Sequence, residues 1–214
     1  ANGITSTWAN QPPAPANRQS AKRPFGCRLR LSANSTTIAE MPGRKPLIIA
    51  HHIMWTCYGR WLPNDPRGST SEEIRSDKLE TFGELHFGRK HIQPTGREIR
   101  AFYQQATSVL KNAALTFDPQ EFSDVADAIG TAIGELNYTC YACAIMPDHV
   151  HLLIRKHRDS AEEMIEGIQS LSRKRLHQVG VRAKGHPVWT QGGWKVFLDH
   201  PDEVHRTIHY IEQN

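Results

Sequence analysis

The period of apolar and polar positions changes repeatedly along the chain, and each change marks an element. From Leu47 the run Leu-Ile-Ile-Ala-His-His-Ile-Met-Trp-Thr-Cys-Tyr is apolar and β-favouring, and Gly59 closes it, which predicts a first strand. Leu62-Pro-Asn-Asp-Pro-Arg-Gly-Ser69 is turn chemistry, and polar residues continue to Pro94, so a long insertion or loop is expected at about 62–94. Thr95 with Glu98 forms a capping box, after which Ile99, Phe102, Ala106, Val109 and Ala113 recur at helical spacing. Asp118-Pro119 with Glu121 opens a second helix, whose stripe is Phe122, Val125, Ile129, Ile133 and Leu136. Residues 138–146 and 149–156 alternate as strands around Pro147-Asp148, which predicts a hairpin. Ser160 with Glu163 caps a further helix that turns Met164, Ile168 and Leu171 inward and Arg173 and Lys174 outward. Residues 189–198 read as extended around Gly192-Gly193, and Pro201 opens a last helix with Val204, Ile208 and Ile211 as its apolar edge. This order, without an internal repeat, suits an α+β fold: a ferredoxin-like split βαβ antiparallel sheet covered by helices.

Composition narrows the class. With 214 residues, 38% of them hydrophobic, the chain buries one core plus an appendage, and a large barrel enzyme is excluded. No apolar run approaches the ~20 residues of a membrane span, and no secretory signal is read at the start, so a cytoplasmic protein without a membrane partner is expected. Cys27, Cys57, Cys140 and Cys143 are too few for a disulfide framework; Cys140 and Cys143, three apart on a strand, are expected on opposite faces. Residues 1–45 are rich in proline and carry seven basic side chains against Glu40, which reads as a disordered or extended basic tail before a domain at 46–214. The compact stretch at Met41 is a natural place for that domain to begin, with the preceding segment an extension.

The net charge of +4 therefore resides in the tail. Basic side chains gather again over 149–195, nine against four acidic. Arg155, Lys156 and Arg158, followed by Arg173, Lys174 and Arg175, are the places where DNA phosphates would be neutralised; solvated faces are the plainer alternative. Trp55, Tyr58, Trp61, Trp189 and Trp194 are candidates to stack on unpaired bases, with core packing an equal alternative for each.

Candidate chemistry converges on two places. His149-Val150-His151 puts two imidazoles on one face of a strand and turns Val150, Leu152 and Ile154 to the other. Two histidines on an exposed sheet face would look the same. On the last helix Tyr210 stands about 160° from Ile208 and about 40° from Asn214, so Tyr210 and Asn214 share a polar face. Packed over the histidine strand, that face would add the amide oxygen of Asn214 to two nitrogens. Gln213, about 100° away, is the competing donor. Such a site suits a phosphodiester, because attack by a phenol conserves the ester for reversal by a 3′-hydroxyl, whereas water would discard it. A tyrosine covering the sheet with its hydroxyl in solvent is the commoner arrangement. His157, His186, His200, His205 and His209 read as surface or outlying histidines.

The stretch Ala144-Ile-Met-Pro-Asp-His-Val-His-Leu-Leu-Ile154 resembles the histidine-hydrophobic-histidine (HUH) signature of the small single-tyrosine transposases, including the REP-associated tyrosine transposases. Residues 54–68, Val188-Trp-Thr-Gln-Gly-Gly-Trp194 and Ile208-His-Tyr-Ile-Glu-Gln-Asn214 resemble further segments of the same family, so the likeness runs from about 46 to 214. It implies a ferredoxin-like nuclease domain that cuts and rejoins single-stranded DNA, hairpin or repeat-flanked, through a 5′-phosphotyrosine. Carried over, Tyr210 is the nucleophile, His149, His151 and Asn214 hold a divalent magnesium or manganese ion, and the chain acts as a monomer or as a homodimer sharing the tyrosine helix. A domesticated, non-cleaving nucleic-acid-binding regulator of the same fold is the alternative. The stretch 62–137 is longer than the compact family core, and the tail has no recognised counterpart. Relatives continue beyond the position of Asn214, so the tyrosine helix is expected to fray. A metal hydrolase on another scaffold is disfavoured, since no glutamate follows His151 before Arg158.

Overall fold

A computed structural model of the chain describes residues 4–6, 47–69, 71–74 and 76–214. Five strands, β1 (Ile4–Ser6), β2 (Ala50–Thr56), β3 (Cys140–Ile145), β4 (His149–Arg155) and β5 (Trp194–Leu198), form one sheet in the order β1-β3-β4-β2-β5. All its pairings are antiparallel. Both β2 and β3 run opposite to β4, so they are parallel to each other with β4 inserted between them. In the same way β4 and β5 flank β2. These two interlocked split βαβ units are the expected ferredoxin-like arrangement. Of the segment read as a tail, Ile4–Ser6 is paired as an edge strand; the rest, including Met41 and Cys27, lies outside the described residues.

The helices are α1 (Asp77–Glu80), α2 (Gly96–Ala106), α3 (Phe122–Glu135), α4 (Ala161–Gln178) and α5 (Pro201–Glu212). On one face of the sheet, Ile53, Trp55, Val150, Leu152 and Ile154 pack against Val125 and Ile129 of α3 and Met164 and Ile168 of α4. On the other face Ala50, Ala142, Ala144 and Leu153 receive Ile211 of α5. The strict alternation of β4 thus feeds two layers at once, and its histidines share the α5 side with Leu153. The capping boxes at Thr95 and Ser160 form, with the backbone N–H of each cap residue donating to Glu98 at 2.6 Å and to Glu163 at 2.7 Å. No helix among the described residues is long and apolar enough to cross a membrane.

Three local expectations change. The stripe that extends to Ala113 breaks at Ala106, where a 3-10 turn, Thr107–Val109, follows α2. There the hydroxyls of Thr107 and Ser108 donate to the carbonyls of Tyr103 and Gln105, both at 2.6 Å, local bonds that compete with helix continuation. The Asp118-Pro119 start likewise opens as a 3-10 turn, Pro119–Glu121, before α3. The expectation that Cys140 and Cys143 face opposite ways is corrected by a β-bulge. Cys140 pairs with Ile154 and Ala142 with Leu153, so Tyr141 is the additional residue and both cysteines turn toward the α3–α4 core. Burial raises both thiol pKa values, that of Cys140 to about 12, and the cysteines are free.

The described part of 62–94, which excludes residues 70 and 75, packs against α2. Leu62 and Leu79 bury against Phe102 and Ala106 of α2, with Ile74 and Phe82 beside them, as a small separate core. Backbone bonds between Ser69 and His86 and between Gly88 and Ser69 cross-link it.

A candidate active site between the central hairpin and the last helix

The β3–β4 bend carries Asp148 immediately before His149, and the amide of Cys57 donates to the Asp148 carbonyl at 2.8 Å, fixing the bend to the end of β2. The rings of His149 and His151 lie with centroids 5.0 Å apart. Ile211, fully buried, sets the rotation of α5, and its neighbour Tyr210 is thereby turned toward the histidines. The Tyr210 ring lies 5.8 Å from that of His151 and 6.1 Å from that of His52, half exposed to solvent. Asn214 donates its amide N–H to the Tyr210 carbonyl at 2.9 Å, which leaves the amide oxygen as the end available to a cation. Gln213 instead engages His209, at 2.8 Å. His149, His151, Tyr210 and Asn214 line one cleft of about 620 Å³; Gln213 is not among its walls.

Hydrogen bonds select how the imidazoles present themselves. The Nδ1 of His149 lies 2.7 Å from an Asp148 carboxylate oxygen, and this bond holds the Asp148 carboxyl below its usual range. This bond engages Nδ1 of His149 and leaves Nε2 as the ring nitrogen free to meet a cation. His151 is almost fully buried; burial first, then the neighbouring His149 and His52, lowers its pKa to about 3, so it is neutral at ordinary pH. Its Nδ1 lies 3.1 Å from Nε2 of His52. For His151 to offer Nε2 to a cation its Nδ1 must carry the proton, and His52 is the acceptor that keeps it there. Two imidazoles and an amide oxygen can hold magnesium or manganese when further oxygen ligands, such as phosphate, complete the shell, and they also fit softer divalent ions. Among the described residues no group of three or more His, Cys, Asp and Glu is placed to hold a metal ion.

The expected phosphate contacts lie elsewhere. Arg155 is exposed at the opposite end of β4, about 20 Å along the strand from His149, and Lys156 and Arg158 are exposed just beyond it. Arg173, Lys174 and Arg175 are exposed on α4, which covers the other face of the sheet. Trp55 and Trp189 are core residues packed edge to face, whereas Trp61 and Trp194 are exposed and line the cleft. His52, Arg67 and Arg89 are among the cleft or near-cleft residues that the sequence does not single out. Alternation from Ala50 puts His52 on one face with Met54, but only the pairing of Met54 with His151 brings that face beside the histidines. Arg67 and Arg89 come from 62–94, where loop composition hid a folded wall.

Residues 102–214 match the family model described as "Transposase IS200 like". No curated protein matches the chain. Among solved structures, a REP-associated tyrosine transposase bound to a REP hairpin aligns at 10% identity over 81% of this chain and 70% of that one, with a TM-score of 0.40. A putative transposase from Deinococcus radiodurans R1 aligns at 12% identity over 82% and 97%, also with a TM-score of 0.40.

Proposed function

The chain belongs to the IS200-like transposase family, and from that premise we propose that it is a metal-dependent single-stranded DNA endonuclease and strand transferase acting on hairpin or repeat-flanked DNA. Tyr210 is the nucleophile, and His149, His151 and Asn214 are the ligands of a magnesium or manganese ion. The observation that carries this reading is the meeting of these four side chains in one cleft.

The phenolic oxygen of Tyr210 attacks phosphorus, its proton passing to a base or to water. The P–O3′ bond breaks, the departing 3′ oxygen takes up a proton, and the 5′ phosphate stays esterified to the tyrosine. Reversal by another 3′-hydroxyl breaks the P–O bond to Tyr210 and joins the strands. When bound, the ion polarises a non-bridging phosphate oxygen and offsets charge developing in the transition state. Asp148 and His52 hold the two imidazoles in their ligand tautomers. The exposure of Tyr210 leaves room for a strand to approach it.

The test is incubation with labelled hairpin-bearing single-stranded DNA, with and without manganese. A denaturation-resistant protein–DNA adduct is expected, falling on the order of 100-fold or more in Tyr210→Phe and in His149→Ala. Tight binding with no adduct in the unaltered protein would replace this reading with that of a non-cleaving regulator.

A further inference from the structure

Beside the tyrosine, residues 61–69 build a wall of the cleft that the chemistry above does not use. Trp61 is 43% exposed, and its φ of 51° is a left-handed conformation that bulky side chains rarely adopt. The indole is nevertheless held firmly. Its Nε1–H donates to the Gly68 carbonyl at 2.7 Å, and the guanidinium carbon of Arg67 lies 4.0 Å from its ring centroid. Gly68, at φ 92°, runs so close to the segment at Gly88 that a Cβ there would stand 1.9 Å from the Gly88 carbonyl oxygen.

Arg67 is itself fixed. Its Nε and Nη2 donate to the two carboxylate oxygens of Asp65 at 2.8 and 2.7 Å, and the Tyr103 hydroxyl donates to the same carboxylate at 2.6 Å. The Asp65 side chain is fully buried, so the charge of Arg67 is spent on an internal partner. Arg67 therefore stiffens the indole and leaves phosphate contact to other groups, of which the exposed Arg89 lines the same cleft. A rigid aromatic surface opening into a cleft that also holds Tyr210 offers what an unpaired base requires: a preorganised π face, tolerant of sequence.

We propose that the Trp61–Arg67 pair is a stacking platform for one unpaired base of the DNA strand whose phosphate lies at Tyr210. It rests on reading the cleft as a single-stranded DNA site. The test is fluorescence anisotropy without divalent metal, using labelled oligothymidylate of about 20 residues and an abasic oligomer of the same length. The unaltered protein should prefer the oligothymidylate. Trp61→Ala should bind it about 5- to 100-fold more weakly with little change for the abasic strand. Trp61→Phe, which keeps a ring, should retain the preference while losing part of the tryptophan quenching that oligothymidylate causes. Equal losses on both strands, undiminished quenching in Trp61→Phe, or no preference in the unaltered protein would overturn the platform. Adduct formation on hairpin DNA with manganese separates the two ideas: an adduct without base preference sinks only the platform, and base preference without an adduct sinks only the cleavage reading.

Discussion

His52 and His151 sit on adjacent strands with ring nitrogens 3.1 Å apart, and this pair shows how far a single residue can be read in advance. His149 and His151 were legible because their two-residue spacing on a strand is local information. His52 became meaningful only when β2 was laid against β4 in register, which a linear reading does not supply. Its role leads to an expectation. His52→Ala should fold and weaken manganese binding about 10- to 100-fold in calorimetric titration, while His52→Gln, which keeps an acceptor, should lose less. Equal affinity in all three proteins would show that the tautomer of His151 is held by something else. Asn214 and Gln213 illustrate the same limit: helical angle separated them, but only the bonds to Tyr210 and His209 show where each amide is engaged.

Elements governed by short-range rules were legible, and those governed by a partner were not. The capping boxes formed where Ser or Thr precedes Glu by three residues, so Ser160→Ala should lower stability by about 1 kcal/mol, read as a lower urea midpoint with unchanged slope. The bulge at Tyr141 had no such signature, because it depends on how β3 meets β4, and it reversed the expected facing of the cysteines. The stretch 62–94 looked like loop because its few apolar residues are widely spaced; they cohere only against Phe102 and Ala106. The docking of α5 provides a second expectation. Ile211→Ala, which empties a fully buried site, should cost about 2–5 kcal/mol and should depress adduct formation more than Arg158→Ala, beyond the far end of β4.

For the whole molecule, the two split units share β2 and β4 at the centre of the sheet, so neither half completes its core alone. A surface tie reinforces this. Arg182, beyond the end of α4, pairs with Glu121 at the entrance to α3, one of its bonds measuring 2.9 Å. The bond to Arg182 holds the Glu121 carboxyl below its usual value despite partial burial. A carboxyl depressed in the folded state binds fewer protons there than when unfolded. Its contribution is therefore complete above the unfolded value near 4.5 and disappears as pH falls through the lower folded one. Urea midpoints between pH 6 and pH 3 should accordingly fall less steeply in Arg182→Met than in the unaltered protein; parallel curves would assign the acid sensitivity to other groups.

Tyr210 and Ile211 are consecutive, about 100° apart around the helix, one facing the histidines and the other sealed under the sheet. Rolling the phenol out of alignment necessarily drags its neighbour into water, so the greasy residue works as a latch for the aromatic one. The aim of the phenolic oxygen is thus guarded by a wetting penalty, and any event that retracts it must first unseal the floor beneath it.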